Sequence, residues 1–322
     1  MQPSANRLLQ AIKNLSRQLK PVWLKKLYCD PVFIVSAPRS GSTLLFEILS
    51  QSPDFWTIGE ESHSIFNALP ELRPARSGYH SGRLTAAQAD GHIKQMIRCG
   101  FLFLLRDRNG RRYLNQSPDD RPDRVRFLEK TPRNALNIPF LLKIFPDAKF
   151  VFLHRDAKQN ISSLIEAWNV GLKDGSFVTF PNLPGWSMRH WCMLLPPHWE
   201  TMNGKSIAEI AAFQWRSCNE IMLEDLQRIQ QRQWTSISYE GLIENPDREI
   251  QRLCEFCGVN FDSRLSDTTA RPLPLSKTTI SNPNPDKWRR HETEIMPLLA
   301  ALQPISDRLA SLPAGSSPLT RQ

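Results

Sequence analysis

Residues 36–43 read SAPRSGST, and their types suit one task, the enclosure of an anion. Successive N–H groups from Ser40 to Thr43 would converge on the centre of such a loop, where a following helix adds the positive end of its dipole. Gly41 lets the backbone come close, and Ser42 and Thr43 add hydroxyl donors. Arg39 contributes a planar fork matched to two anionic oxygens. A turn that only caps a helix explains Gly41 and Ser42 but leaves Arg39 without a purpose.

The loop is not that of an ATPase. Aligning GxxxxGK plus Ser or Thr on Gly41 puts Ser36 at the first glycine and Ser42 at the lysine, so only Gly41 and Thr43 match. No convincing acidic residue closes a strand to hold Mg²⁺, which phosphoryl transfer from ATP or GTP needs. A donor with a single 5′-phosphate carrying a transferable group needs only an anion cradle and no metal.

Secondary structure must bring further groups to this loop. β-rich apolar runs occur at Val32–Val35, Val125–Leu128, Lys149–Leu153 and Trp234–Ser238. Helical patterns occupy Leu44–Leu49, Ala86–Leu105, Ala135–Ile144, Ile161–Trp168 and Ile207–Ile229. Strands alternating with helices predict an α/β fold, a central parallel sheet with helices on both faces. Ligands of such sheets sit at the carboxyl ends of the strands. The segments there are SAPRSGST, EKTPRN (129–134), HRDAKQNISS (154–163) and YEGL (239–242), and three of the four carry a Lys or Arg.

Composition narrows the partners. The 322 residues, 40% hydrophobic and 23% charged, describe a globular chain with a sizeable core. A formal charge of +9 favours an anionic partner. No basic–aromatic repeat or zinc-finger spacing points to nucleic acid. Cys254 and Cys257 fall on one face of a helical pattern ending at Gly258, so they read as core thiols rather than a metal or redox pair.

The organisation reads as a basic amphipathic segment (1–29), one domain (30–312) and a Pro/Ser-rich disordered tail (313–322). The first 29 residues hold six Lys or Arg and no acid, with Leu8, Leu9, Ile12, Leu15 and Leu19 on one helical face. That face suits packing on the domain, or peripheral contact with a membrane. No run is long and apolar enough to span one, and a cytoplasmic location is expected. Residues 171–205, punctuated by Pro and Gly, are expected to form a lid-like insertion. Phe177, Phe180, Trp186, Trp191 and Trp199 would be its walls over an apolar acceptor.

From about Val32 to Trp288 the chain resembles the sulfotransferases that use 3′-phosphoadenosine-5′-phosphosulfate. PRSGST is similar to that family's 5′-phosphosulfate loop, and Arg155 with Ser163 to its 3′-phosphate site. GEE (59–61), KTP (130–132), the tyrosine turn ISYEGLIENP and LSK (275–277) resemble the tyrosylprotein-type and related bacterial branch. The resemblance implies a single α/β domain without a metal, with Glu61 as the base and Lys130 and Arg39 on the developing negative charge. It implies donor contacts from Arg39, Ser40, Gly41, Ser42, Thr43, Arg155, Ser163, Tyr239, Ser276 and Lys277, with Lys287 a further contact. Glu61 works best as a base if partial burial raises its pKa. His63 is the rival base, since imidazole serves in the aryl branch, whereas His154 reads as structural.

The branch's peptide-placing arginines after GEE are replaced here by His63 and Asn67. The acceptor implied is therefore a small, lipid-like or carbohydrate hydroxyl, partly apolar. A non-catalytic phosphonucleotide-binding module and an atypical P-loop kinase are the alternatives.

Overall fold

The computed structural model describes residues 4–270, 272–282 and 284–312. Among the described residues seven strands form: β1 (Val32–Ser36), β2 (Phe55–Trp56), β3 (Arg126–Lys130), β4 (Lys149–His154), β5 (Val178–Pro181), β6 (His190–Cys192) and β7 (Trp234–Ser238). Five make a sheet in the order β2-β3-β1-β4-β7, and every neighbouring pair is parallel. All five strands thus end on one edge.

Alternation along the strands divides the apolar residues between two cores. Phe33, Phe127, Phe150 and Phe152 pack with residues of helices Gly91–Leu104, Ile138–Ile144, Ala157–Asp174 and Ile207–Gln227. Val32, Ile34, Leu128, Val151 and Leu153 pack with residues of Ser42–Leu49, Pro246–Cys257 and Ser263–Thr269. Both faces are covered, as the sequence pattern predicts. Cys254 and Cys257 are free thiols buried in the second core.

Several boundaries differ from expectation for local reasons. The stretch expected as Ala86–Leu105 is a 3₁₀ turn at Ala86–Gln88 and a separate helix from Gly91, started by the Asp90 side chain accepting from Ile93 N. The expected helix Ala135–Ile144 divides likewise, with 3₁₀ at Pro132–Leu136 and Pro139 in the first turn of Ile138–Ile144. The two-residue β2 is too short to leave a pattern in sequence. The third strand runs to Lys130, which places that residue on the ligand edge.

The region 171–205 corrects the reading of its tryptophans. It holds the end of helix Ala157–Asp174 and the antiparallel pair β5–β6. Trp186, Trp191 and Trp199 line neither the main cavity nor the small one beside it; they pack on one another and on Trp168, with ring centroids 4.8 to 6.5 Å apart. Rings this large yield most when fully buried, and each indole N–H finds an acceptor: His190 O, Leu194 O, Tyr79 O and Gln214 Oε1. Of the five aromatics, Phe177 lines the main cavity and Phe180 a small one beside it.

The basic N-terminal segment forms helices Ala5–Gln18 and Pro21–Leu27. Leu8 and Ile12 are completely buried in the first core, so the amphipathic face is packed on the domain. No helix among the described residues is long and apolar enough to cross a membrane. The tail at 313–322 lies outside the described residues.

Candidate active site

Between β1 and helix Ser42–Leu49 the chain turns through Arg39 (φ 66°) and Gly41 (φ 97°). Gly41 is required twice over. Its φ is one that side-chain-bearing residues rarely adopt, and a Cβ there would lie 2.4 Å from Cδ2 of Tyr239. Ser42 and Thr43 open the helix and line the main cavity with Arg39 and Gly41. Ser40 departs from expectation. Its side chain is fully buried and its hydroxyl donates to Asn160 Oδ1 at 2.7 Å, away from the cavity, which it does not line. Asn160 Nδ2 in turn donates to Pro38 O at 2.8 Å. One buried amide therefore fixes the loop against helix Ala157–Asp174, and this residue was missed from sequence.

Arg155 stands just past the end of β4. Its Nη1 donates to Arg39 O at 3.2 Å, its guanidinium lies 4.3 Å from the Tyr239 ring centroid, and its Nε is buried without a partner. Arg39 reaches Ser163 Oγ at 3.4 Å and Thr278 O at 3.0 Å. Burial, then the charge of Arg155, pull Arg39 below its ordinary range, and burial does the same to Arg155. Two enclosed cations, a serine and an aromatic ring thus converge where, among the described residues, no carboxylate forms an ion pair with either cation. Asp156, adjacent to Arg155, instead caps its helix by accepting from Gln159 N at 3.1 Å.

On the other side of the loop, Lys130 leaves the end of β3 and is nearly buried. Its Nζ bridges Thr43 Oγ1 at 3.2 Å and Glu61 Oε1 at 2.5 Å. The other Glu61 oxygen meets His63 Nε2 at 2.6 Å. Burial alone would raise Glu61, but the hydrogen bond from His63 and the charge of Lys130 outweigh it and hold the carboxyl at about 2. The expected upward shift is thus reversed, because sequence does not reveal that both carboxylate oxygens are taken. Burial lowers His63, with the hydrogen bond to Glu61 opposing. His154 is lowered to about 4 by burial and lies outside the cavity lining, in keeping with a structural role.

Glu129, next to Lys130, points the opposite way into a buried polar knot. It accepts from Ser62 Oγ at 2.8 Å, Asn134 Nδ2 at 2.8 Å and Thr131 Oγ1, while Ser62 N donates to Thr131 Oγ1 at 2.7 Å. Burial raises Glu129, against those three donors. The knot ties the Glu61 segment to the tip of β3 and sets Glu61 against Lys130. Sequence offered a hint of it only in the alternation that sends Glu129 away from Lys130.

Arg39, Gly41, Glu61, Lys130, Arg155 and Tyr239 line one cavity of about 1260 Å³, larger than an ordinary small-ligand pocket. Residues 272–281 line it as well, Ser276 and Lys277 among them. Ser276 Oγ bonds the hydroxyls of Thr278 (3.3 Å) and Thr279 (3.2 Å), and Lys277 is exposed. Lys287 also lines the cavity but is paired with Glu166 at 2.6 Å. Phe177, Val178, Met193 and Leu194 add apolar side chains to the lining, and the Phe177 ring centroid lies 5.3 Å from the Arg39 guanidinium. Among the described residues no cluster of His, Cys, Asp or Glu is arranged to hold a metal ion.

Comparison with known proteins adds a family. The model described as "Sulfotransferase family" matches residues 31–200 and 187–263. Protein-tyrosine sulfotransferase A of Caenorhabditis elegans is 22% identical over 239 residues, covering 73% of this chain and 51% of that protein. Nodulation protein NoeE of Sinorhizobium fredii is 26% identical over 297 residues, covering 87% of this chain and 63% of that protein. The chain thus spans about half to two thirds of these relatives. Among solved structures, sulfotransferase STF9 from Mycobacterium avium superposes with a TM-score of 0.59 at 15% identity, over 97% of this chain and 85% of that one.

Proposed function

Because the chain belongs to the sulfotransferase family, we propose that it moves a sulfuryl group from 3′-phosphoadenosine-5′-phosphosulfate to a hydroxyl of a small-molecule, lipid-like or carbohydrate acceptor. The observation that carries this is the Lys130 ammonium, held between Glu61 and Thr43 of the anion loop. One cation then touches both the group that takes a proton and the loop that holds the leaving group.

In this reading the 5′-phosphosulfate lies against Arg39, Gly41, Ser42 and Thr43, and the 3′-phosphate takes Arg155 and Ser163. Tyr239, Ser276 and Lys277 flank the nucleotide. The acceptor oxygen attacks sulfur and its proton goes to Glu61. The bond from sulfur to the bridging oxygen breaks, and adenosine 3′,5′-bisphosphate leaves with its new charge beside Lys130 and Arg39. A carboxyl held at about 2 is a weak base. The arriving sulfuryl anion competes with Glu61 for Lys130, and loss of that partner raises the carboxyl towards a useful range. His63 keeps one donor on Glu61 and orients it. No metal takes part.

The test is transfer of labelled sulfuryl from the donor to a library of phenols, sugars and lipid alcohols, followed by mass spectrometry. Gain of one sulfuryl group by an acceptor, lost in Glu61→Gln, is expected. Binding of the nucleotide with no transfer to any acceptor would favour a non-catalytic binding module.

A further inference from the structure

Six cations line the main cavity: Arg39, Lys130, Arg133, Arg155, Lys277 and Lys287. Five have a place already. Arg39 and Arg155 stand at the anion loop, Lys130 is on Glu61, Lys287 is on Glu166, and Lys277 is exposed. Arg133 is left over.

Arg133 follows the tip of β3, in the 3₁₀ turn Pro132–Leu136, and extends between helix His63–Ala68 and strand β5. Its Nη1 donates to Asn67 Oδ1 at 3.2 Å and its guanidinium lies 5.9 Å from the Phe180 ring centroid. Its Nε is buried with no partner, and it forms no ion pair among the described residues. Burial pulls its pKa down to about 10, with Glu61 the one charge that opposes this. Glu61 cannot complete it, since both carboxylate oxygens are taken by Lys130 and His63. A half-solvated cation is costly unless a ligand supplies what is missing. Pro132, Val178, Met193 and Leu194 are apolar residues lining the same cavity. Glu60, at the rim, is exposed to solvent.

We propose that Arg133 is the specificity-determining cation of the acceptor end, and that the acceptor carries, besides its hydroxyl, an anionic group (carboxylate or phosphate) that this guanidinium takes up. The inference rests on the sulfotransferase reading, because it assigns the Glu61 end of the cavity to the acceptor. The apolar lining suits the carbon frame between the two polar groups, and a planar fork suits either anion.

The experiment uses the full chain saturated with adenosine 3′,5′-bisphosphate and titrated with three phenols. These are 4-hydroxyphenylacetate, 4-hydroxyphenyl phosphate and the neutral 4-hydroxyphenylacetamide. At least one anion is expected to bind about tenfold or more tightly than the amide, the scale of one charge-assisted contact. Arg133→Met should erase that preference and Arg133→Lys restore part of it, which a merely structural arginine would not do. Which anion wins separates a carboxylate from a phosphate acceptor. Nucleotide affinity, read in a separate titration of each variant before saturation, reports whether it folds. Equal affinity for acids and amide, binding by neither acid, or a preference that survives Arg133→Met overturns the inference while leaving the sulfotransferase reading intact. Failure of the wild type to bind the nucleotide would instead remove that reading.

Discussion

Replacing Glu61 by Gln keeps the shape of the side chain and removes its charge from between Lys130 and His63. The carboxyl stands at about 2 against an ordinary 4.5, a displacement worth at most about 3 kcal/mol at neutral pH. The side chain is 31% exposed, and solvent screening reduces that to about 1–2 kcal/mol. The sign follows from the direction of the shift. A carboxyl depressed in the folded state stabilises fully above 4.5 and loses that contribution as pH falls towards 2. Urea unfolding of both proteins between pH 3 and 7 should therefore show a gap of about 1–2 kcal/mol near neutrality that narrows steadily below pH 4.5. Sulfuryl transfer by the variant should fall about 10²–10⁴-fold, the usual contribution of a positioned base. A stability gap that stays constant down to pH 3 would refute the pairing of Glu61 with Lys130 and His63. Full turnover in the variant would refute its role as base.

Gly41→Ala forces a positive φ on alanine and drives its Cβ into Tyr239, which must leave its place over Arg155. A strain of about 1–2 kcal/mol plus the lost ring contact should weaken nucleotide binding at least about tenfold by calorimetry. Asn160→Ala strands the Ser40 hydroxyl and the Pro38 carbonyl in a buried site, and should lower unfolding free energy by about 2–4 kcal/mol in denaturant titration. Thiol labelling of the native chain should modify the half-buried Cys29 first, because burial holds Cys99, Cys192, Cys254 and Cys257 up at about 12. All six thiols should react after unfolding without reductant, and a lower count would contradict their being free.

Residues at strand ends were the legible part of the site. Alternating β-rich and helical patterns placed the carboxyl ends of β1, β3, β4 and β7 on one edge, and with them Arg39, Lys130 and Arg155. Gly41 was legible for the same reason, since a turn entering a helix beneath an anion leaves few choices. What stayed hidden depends on pairs remote in sequence. Lys130 meets Glu61 across 69 positions and Ser40 meets Asn160 across 120, and no local pattern carries either distance. The direction of the Glu61 shift followed from such pairs, which is why burial alone predicted the wrong sign. The tryptophans of β6 and its flanks misled in a different way. In a loop-like stretch they look like walls for a ligand, yet their area is spent on one another and on Trp168.

Calorimetric titration with adenosine 3′,5′-bisphosphate tests the account most directly. The wild-type chain should bind it without Mg²⁺ and in preference to ATP. Arg39→Met and Arg155→Met should each cost about 1.5–3 kcal/mol, or about 10- to 150-fold in affinity. Absence of binding by the wild type, or affinity untouched by removal of either arginine, would contradict it.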